Sequence, residues 1–172
     1  MSFASELLKR AEATAKSHQP IPYFSEMKVR PQVKMIFCCF DMRVKPEQFL
    51  GLTPNDPVLI VRSASGTPAR NILEIAALDH FVGINELIVV KHTDCGATHM
   101  TDEGIKSHIL SYSPELESTL ASSGPWTNKD IIDAGHKDVE LIKSSPLIRK
   151  ELRDTASALL FDIKTGEVTK IV

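Results

Sequence analysis

The sequence predicts an α/β fold: a mainly parallel four-stranded sheet with an antiparallel strand at its C-terminal edge, helices on both faces and an N-terminal helical arm. Three observations lead there. Short, wholly apolar runs at 33–39 (VKMIFCC, Lys34 apart), 58–61 (VLIV) and 87–90 (LIVV) read as strands buried on both faces, the pattern of a parallel sheet. The helical stretch between the second and third makes 58–90 a strand–helix–strand unit, with a parallel, right-handed crossover. A last apolar run, 157–163 (SALLFDI), meets a tight turn at Lys164-Thr165-Gly166, from which Glu167–Val172 can return antiparallel.

The remaining elements follow in chain order. Residues 3–17 carry Phe3, Leu7, Leu8, Ala11 and Ala15 near helical spacing, with Glu6, Lys9, Arg10, Glu12 and Lys16 opposite. Pro20 and Pro22 detach this helix from the rest, so residues 1–22 read as an arm on a single domain spanning 1–172. Residues 45–53 have room for a turn or two of helix, with Pro46 suited to its start. Pro54–Pro57 is a turn. Thr67-Pro68 reads as a cap and first residue of a helix from 68 to about 81, closed by Gly83. Short helices are expected at 103–111 and 114–121, and a stronger one at 128–143 capped by Thr127 and broken at Ser144-Ser145-Pro146.

Composition narrows the function. With 22 acidic and 20 basic residues the formal charge is −2, and no basic run suggests a nucleic acid or an anionic membrane as partner. No apolar run approaches the ~20 residues of a membrane span. The first residues, MSFASELLKRAEATAK, lack the apolar core of a signal peptide, so a cytoplasmic protein is expected. Cys38, Cys39 and Cys95 are the three cysteines, an odd and low count that favours reduced thiols or metal ligands over a disulfide framework.

Two predicted strands end in groups able to bind a metal: Cys39 after the first, and His92 with Cys95 after the third. Parallel strands of one sheet end on one edge, where ligands collect in open α/β sheets. The three could therefore meet as a zinc site with an open fourth position. Buried cysteine is also a common small hydrophobe, so the pair His92/Cys95 alone leaves metal and core readings open. Cys38 alternates with Cys39 along its strand and reads as core.

Cys39-Phe40-Asp41-Met42-Arg43 matches the C-x-D-x-R motif of the β-class carbonic anhydrases, and His92-Thr93-Asp94-Cys95-Gly96 matches their H-x-x-C-G motif. Arg62-Ser63-Ala64 resembles the R-N-A segment between the two. Residues 158–168 resemble the closing strand and hairpin. The chain thus resembles the short members of that family, among which carbonyl sulfide and carbon disulfide hydrolases have relatives. The resemblance implies zinc on Cys39, His92 and Cys95, an Asp41–Arg43 dyad beside it, and a homodimer or higher even oligomer whose N-terminal helices embrace the partner. It implies a small-molecule substrate: carbon dioxide, hydrated to bicarbonate, or alternatively carbonyl sulfide, hydrolysed at the same site. A non-catalytic zinc domain or bicarbonate sensor is a third reading, against which the retained dyad argues. Arg43 paired with Asp41 would keep that carboxylate ionised and off the metal. Three positions depart from the family pattern, and all are expected near the substrate pocket: Met42 for a small residue, Ser63 for Asn, and Ser65-Gly66 with the glycine displaced by one. His99 is near enough to the motif for a proton relay, but it and the other isolated histidines receive no role.

Overall fold

The computed structural model describes residues 2–29 and 32–172. They fall into two units, divided at residues 30–31.

In the first unit, helix α1 spans Phe3–Ala15. Ser2 caps it, accepting a hydrogen bond from the Ser5 backbone N–H at 3.3 Å. A Glu6–Arg10 ion pair one turn apart lies on its polar side. A single 3₁₀ turn follows at Phe24–Glu26.

In the second unit, β1 (Val33–Cys39), β2 (Val58–Ser63), β3 (Ile84–His92), β4 (Ser157–Phe161) and β5 (Val168–Lys170) form one sheet in the order β2-β1-β3-β4-β5. The first four are mutually parallel and β5 is antiparallel to β4 at the edge. The helices are α2 (Pro46–Phe49), α3 (Ile72–Val82), α4 (Asp102–Leu110), α5 (Glu117–Ala121), α6 (Ile131–Ser144) and α7 (Lys150–Arg153). Alternation along the strands divides the core in two. Met35, Phe37, Leu87, Val89 and Ala158 face Ile75 of α3, Val139 and Ile142 of α6, and Leu152 of α7. Ile36, Cys38, Val90 and Phe161 face the other way with Val44, and there Phe49 of α2 stacks on Phe161 with ring centroids 3.9 Å apart. Cys38 is fully buried, and burial pushes its thiol up to about 11, so it sits in the core as expected.

Three local expectations are corrected. Helix α3 begins at Ile72, not 68, because residues 68–70 form a separate turn closed by Asn71 N–H on the Pro68 carbonyl at 2.8 Å. The Thr67 hydroxyl, read as the cap of that helix, accepts from Ala69 N–H at 3.3 Å in the turn and donates to Asp138 at 2.7 Å. Helix α6 is capped by Asp130, which accepts from the Ile132 and Asp133 amides, while Thr127 donates to Asp102 at 2.9 Å. The short helix α7 lies in a stretch for which the sequence reading predicts no element.

Candidate metal centre and active site

Register explains why residues distant in sequence meet. β1 and β3 are neighbours, with Cys38 level with Val90, so Cys39 lies level with Lys91 and His92 is one step beyond. After His92 the chain must turn back for Cys95 to join them. Asp94 does this with φ 54°, in the left-handed region that Asp tolerates better than most residues. Thr93 fastens the turn to β4: its N–H donates to the Phe161 carbonyl at 3.0 Å and its hydroxyl accepts from Ile163 N–H at 3.1 Å. Gly66 lets the loop after β2 lie against β1, because a Cβ there would come within 2.9 Å of the Cys38 and Cys39 backbone.

The result is a buried cluster. The ligand atoms of Cys39, His92 and Cys95 all lie within 4.8 Å of one another, and the two sulfurs are 3.9 Å apart. Tetrahedral bonds of ~2.3 Å to one zinc ion would set two sulfurs about 3.8 Å apart. His92 Nδ1 stands 2.9 Å from the Thr93 carbonyl, so that nitrogen is the donor and Nε2 keeps its lone pair. Nε2 is buried and has no hydrogen-bond partner among the described residues, an expensive arrangement unless something else occupies the lone pair. Between the thiols, Cys39 is held down to about 4, chiefly by the hydrogen bond from Cys95 and then by His92, while Cys95 is pushed up as the donor of that bond and by burial. A softly ligated divalent ion would replace the shared proton. Two thiolates and one neutral imidazole, with no fourth ligand in the cluster among the described residues, fit zinc with an open position.

Beside the cluster Arg43 forks onto Asp41, with Nε 3.0 Å from Oδ1 and Nη2 2.7 Å from Oδ2. These bonds hold Asp41 down to about 2, so it is ionised at neutral pH. Arg43 has a second anchor: Nη1 donates to Asp94 Oδ2 at 2.9 Å and Nη2 to the Asp94 carbonyl at 3.0 Å. His99 Nε2 lies 2.8 Å from Asp94 Oδ1. Arg62 closes the loop from below through the Asp41 and Val44 carbonyls.

Next to Cys39 and Asp41 is a cavity of about 120 Å³, walled by Ala64, Ser65, Gly96 and Ala97 and by the large apolar side chains Phe40, Met100 and Trp126. Drug-sized ligands occupy ~300–1,000 Å³, so this space suits a molecule of very few heavy atoms. Ser65 is part of the wall, as its departure from the motif suggests. Ser63 is not: its hydroxyl donates to the Thr67 carbonyl at 2.8 Å. Met42 is also off the cavity, 85% exposed, which corrects the expectation that it shapes the pocket. Gly96 opens only a single 3₁₀ turn, Gly96–Thr98, and α4 starts later. Phe40 lay inside a recognised motif at its variable position. Met100 and Trp126 come from connections with no periodic pattern, and nothing local in the sequence marks them.

Comparison with known proteins agrees with this geometry. The profile of the family described as carbonic anhydrase matches residues 34–168. The chain is 33% identical over 156 residues to the carbon disulfide hydrolase of Saccharolobus solfataricus strain P2, covering 78% of this chain and 75% of that protein. It is 23% identical over 136 residues to β-carbonic anhydrase 1 of Mycobacterium tuberculosis, covering 79% and 80%. Among solved structures, the carbonic anhydrase of Streptococcus mutans superposes with a TM-score of 0.81 at 26% identity, covering 100% of this chain and 99% of that one. Profile, relatives and architecture coincide, and the chain belongs to the β-carbonic anhydrase family.

Proposed function

We propose that this protein is a zinc enzyme that adds water to a small, linear, uncharged heterocumulene, with carbon dioxide going to bicarbonate and a proton. The observation that carries this reading is His92 Nε2, buried and unpartnered between two cysteines, directly beside a locked carboxylate. Cys39, His92 and Cys95 would hold zinc, which when bound would supply a water acidic enough to be a nucleophile near neutral pH. Asp41 accepts a hydrogen bond from the attacking water and orients it toward the substrate carbon. Arg43, tied to both Asp41 and Asp94, keeps that carboxylate ionised and aimed. The apolar wall of Phe40, Met100 and Trp126 suits a substrate with no charge and weak hydrogen-bonding power.

That wall favours a second reading, in which the substrate carries sulfur: carbonyl sulfide and water giving carbon dioxide and hydrogen sulfide, or carbon disulfide with two waters giving carbon dioxide and two hydrogen sulfides. The 33% identity to a carbon disulfide hydrolase supports it. We read 1–172 as one domain with residues 1–22 as an arm, acting as a homodimer or higher even oligomer in the cytoplasm. The apolar stripe of α1 supports the oligomer. Among the described residues no helix is long and apolar enough to cross a membrane.

The test is a paired assay on zinc-quantified protein: stopped-flow hydration of carbon dioxide beside sulfide release from carbonyl sulfide and carbon disulfide, with Asp41→Ala as control. Turnover of any of these, abolished in the control, supports the class and the ratio names the substrate. Zinc-replete protein inactive on all three refutes it.

A further inference from the structure

Lys91 precedes His92 on β3, and its side chain is fully buried on the α6 face of the sheet. Its ammonium donates to Asp138 Oδ2 at 2.5 Å and to the Ser65 carbonyl at 2.8 Å. Asp138 Oδ1 accepts from the Thr67 hydroxyl at 2.7 Å, so both ends of the turn after β2 hang on one buried ion pair. Asn128 completes the frame, its side-chain amide donating to the Ser65 hydroxyl at 2.8 Å and its backbone N–H to the Ala97 carbonyl at 3.1 Å. Gly135 packs beside the lysine and makes room for Ile171, since a Cβ there would lie 2.8 Å from Ile171 Cδ1 while only touching Lys91 Cγ at 3.5 Å.

Stability alone is a poor reason for this arrangement. Burying two charges costs several kcal/mol per ion, and an apolar pair of equal volume is often as stable. What the pair does hold is a strained residue. Ser65 sits at φ 59°, ψ 8°, in the left-handed region that a side chain with a Cβ rarely adopts. Ser65 and Ala97 both wall the cavity beside Cys39. We propose that Lys91 and Asp138, with Asn128, are positioning residues that hold Ser65 in its left-handed conformation and thereby set the width of the cavity, selecting among heterocumulenes of different size. This rests on the reading of that cavity as the substrate site.

The test compares wild type with the double variant Lys91→Met/Asp138→Leu, which removes the pair without orphaning a charge. One readout is the ratio of kcat/KM for carbonyl sulfide to that for carbon dioxide, with kcat and KM separated. The other needs no turnover: binding of thiocyanate, a linear triatomic anion, to the cobalt(II)-substituted protein, followed by its visible spectrum. The double variant should keep one metal per chain while its substrate ratio and thiocyanate Kd each move by about fivefold or more, with KM changing more than kcat. Both quantities within about twofold of wild type would overturn the proposal, the size of effect a residue merely filling the core would give. Should the double variant fail to fold, Asn128→Ala decides by the same readouts, since it frees the Ser65 hydroxyl alone. There a shift of about threefold supports the proposal and no shift overturns it. Zinc-replete wild type with no turnover would sink the functional reading, and the thiocyanate comparison would still decide this one.

Discussion

Lys91 and His92 are consecutive on β3, each 1% exposed, and they face opposite sides of the sheet. Lys91 meets a carboxylate and a carbonyl, whereas His92 Nε2 faces two sulfurs and has no hydrogen-bond partner among the described residues. A satisfied buried charge marks scaffold, and an unsatisfied buried lone pair marks a place for a ligand. The same contrast extends outward. Around the His92 lone pair gather two cysteine sulfurs able to hold a metal, and beside them a half-exposed arginine bridges two aspartates. On the Lys91 side every polar atom named above is spent on another protein atom, and the outcome is the shape of one turn.

The largest expected effect breaks the His92 side. Cys39→Ser should lower zinc affinity by about a hundredfold or more and abolish activity, while the apolar core and secondary structure by circular dichroism stay intact. Asp41→Ala should keep zinc but lose ~10²–10⁴ in kcat/KM, the scale of a positioned hydrogen-bonding base, by stopped flow. On the Lys91 side, Asp138→Leu alone leaves a buried ammonium unpaired and should cost about 3–5 kcal/mol in a denaturant titration, most of it recovered on adding Lys91→Met.

Smaller effects sharpen the boundary between the two sides. Asp102 accepts from the Trp126 N–H at 3.0 Å and the Thr127 hydroxyl, and the Trp126 bond chiefly holds its carboxyl below the usual range. Its folded pKa is depressed, so its contribution to stability is fully present above the unfolded value of about 4 and is lost as pH falls through the folded value. Asp102→Asn should therefore narrow the gap between denaturation midpoints at neutral and strongly acid pH. Met42→Ala, at an exposed site off the cavity, should change stability by no more than about 0.5 kcal/mol and leave the substrate ratio unchanged.

Much of the metal side was legible because its signals are local. A cysteine or histidine at the end of an apolar run is visible residue by residue, and parallel pairing brings such ends together. Strand parity separates Cys38 from Cys39 in the same way. The scaffold side was harder because its partners come from β3, α6 and two turns. Its signal is a mismatch: Lys91 continues the buried stripe of Leu87 and Val89, and Asp138 lies on the stripe of Ala134 and Ile142. A charge at each of two buried periodic positions implies a pair, although the sequence does not say that Ser65 is what they hold. Helix starts were misread where a hydroxyl had a tertiary partner. Thr67 and Thr127 have the composition of caps, but Asp138 and Asp102 claim them.

The central claim is that Cys39, His92 and Cys95 hold one zinc ion with a fourth position left open. Zinc K-edge absorption on purified protein, with zinc counted per chain, tests it most directly. The account predicts one zinc per chain with two sulfur neighbours at ~2.3 Å, one imidazole nitrogen and one exchangeable light atom that added thiocyanate displaces. A chain that binds no zinc, or a closed shell that thiocyanate leaves unchanged, would contradict it.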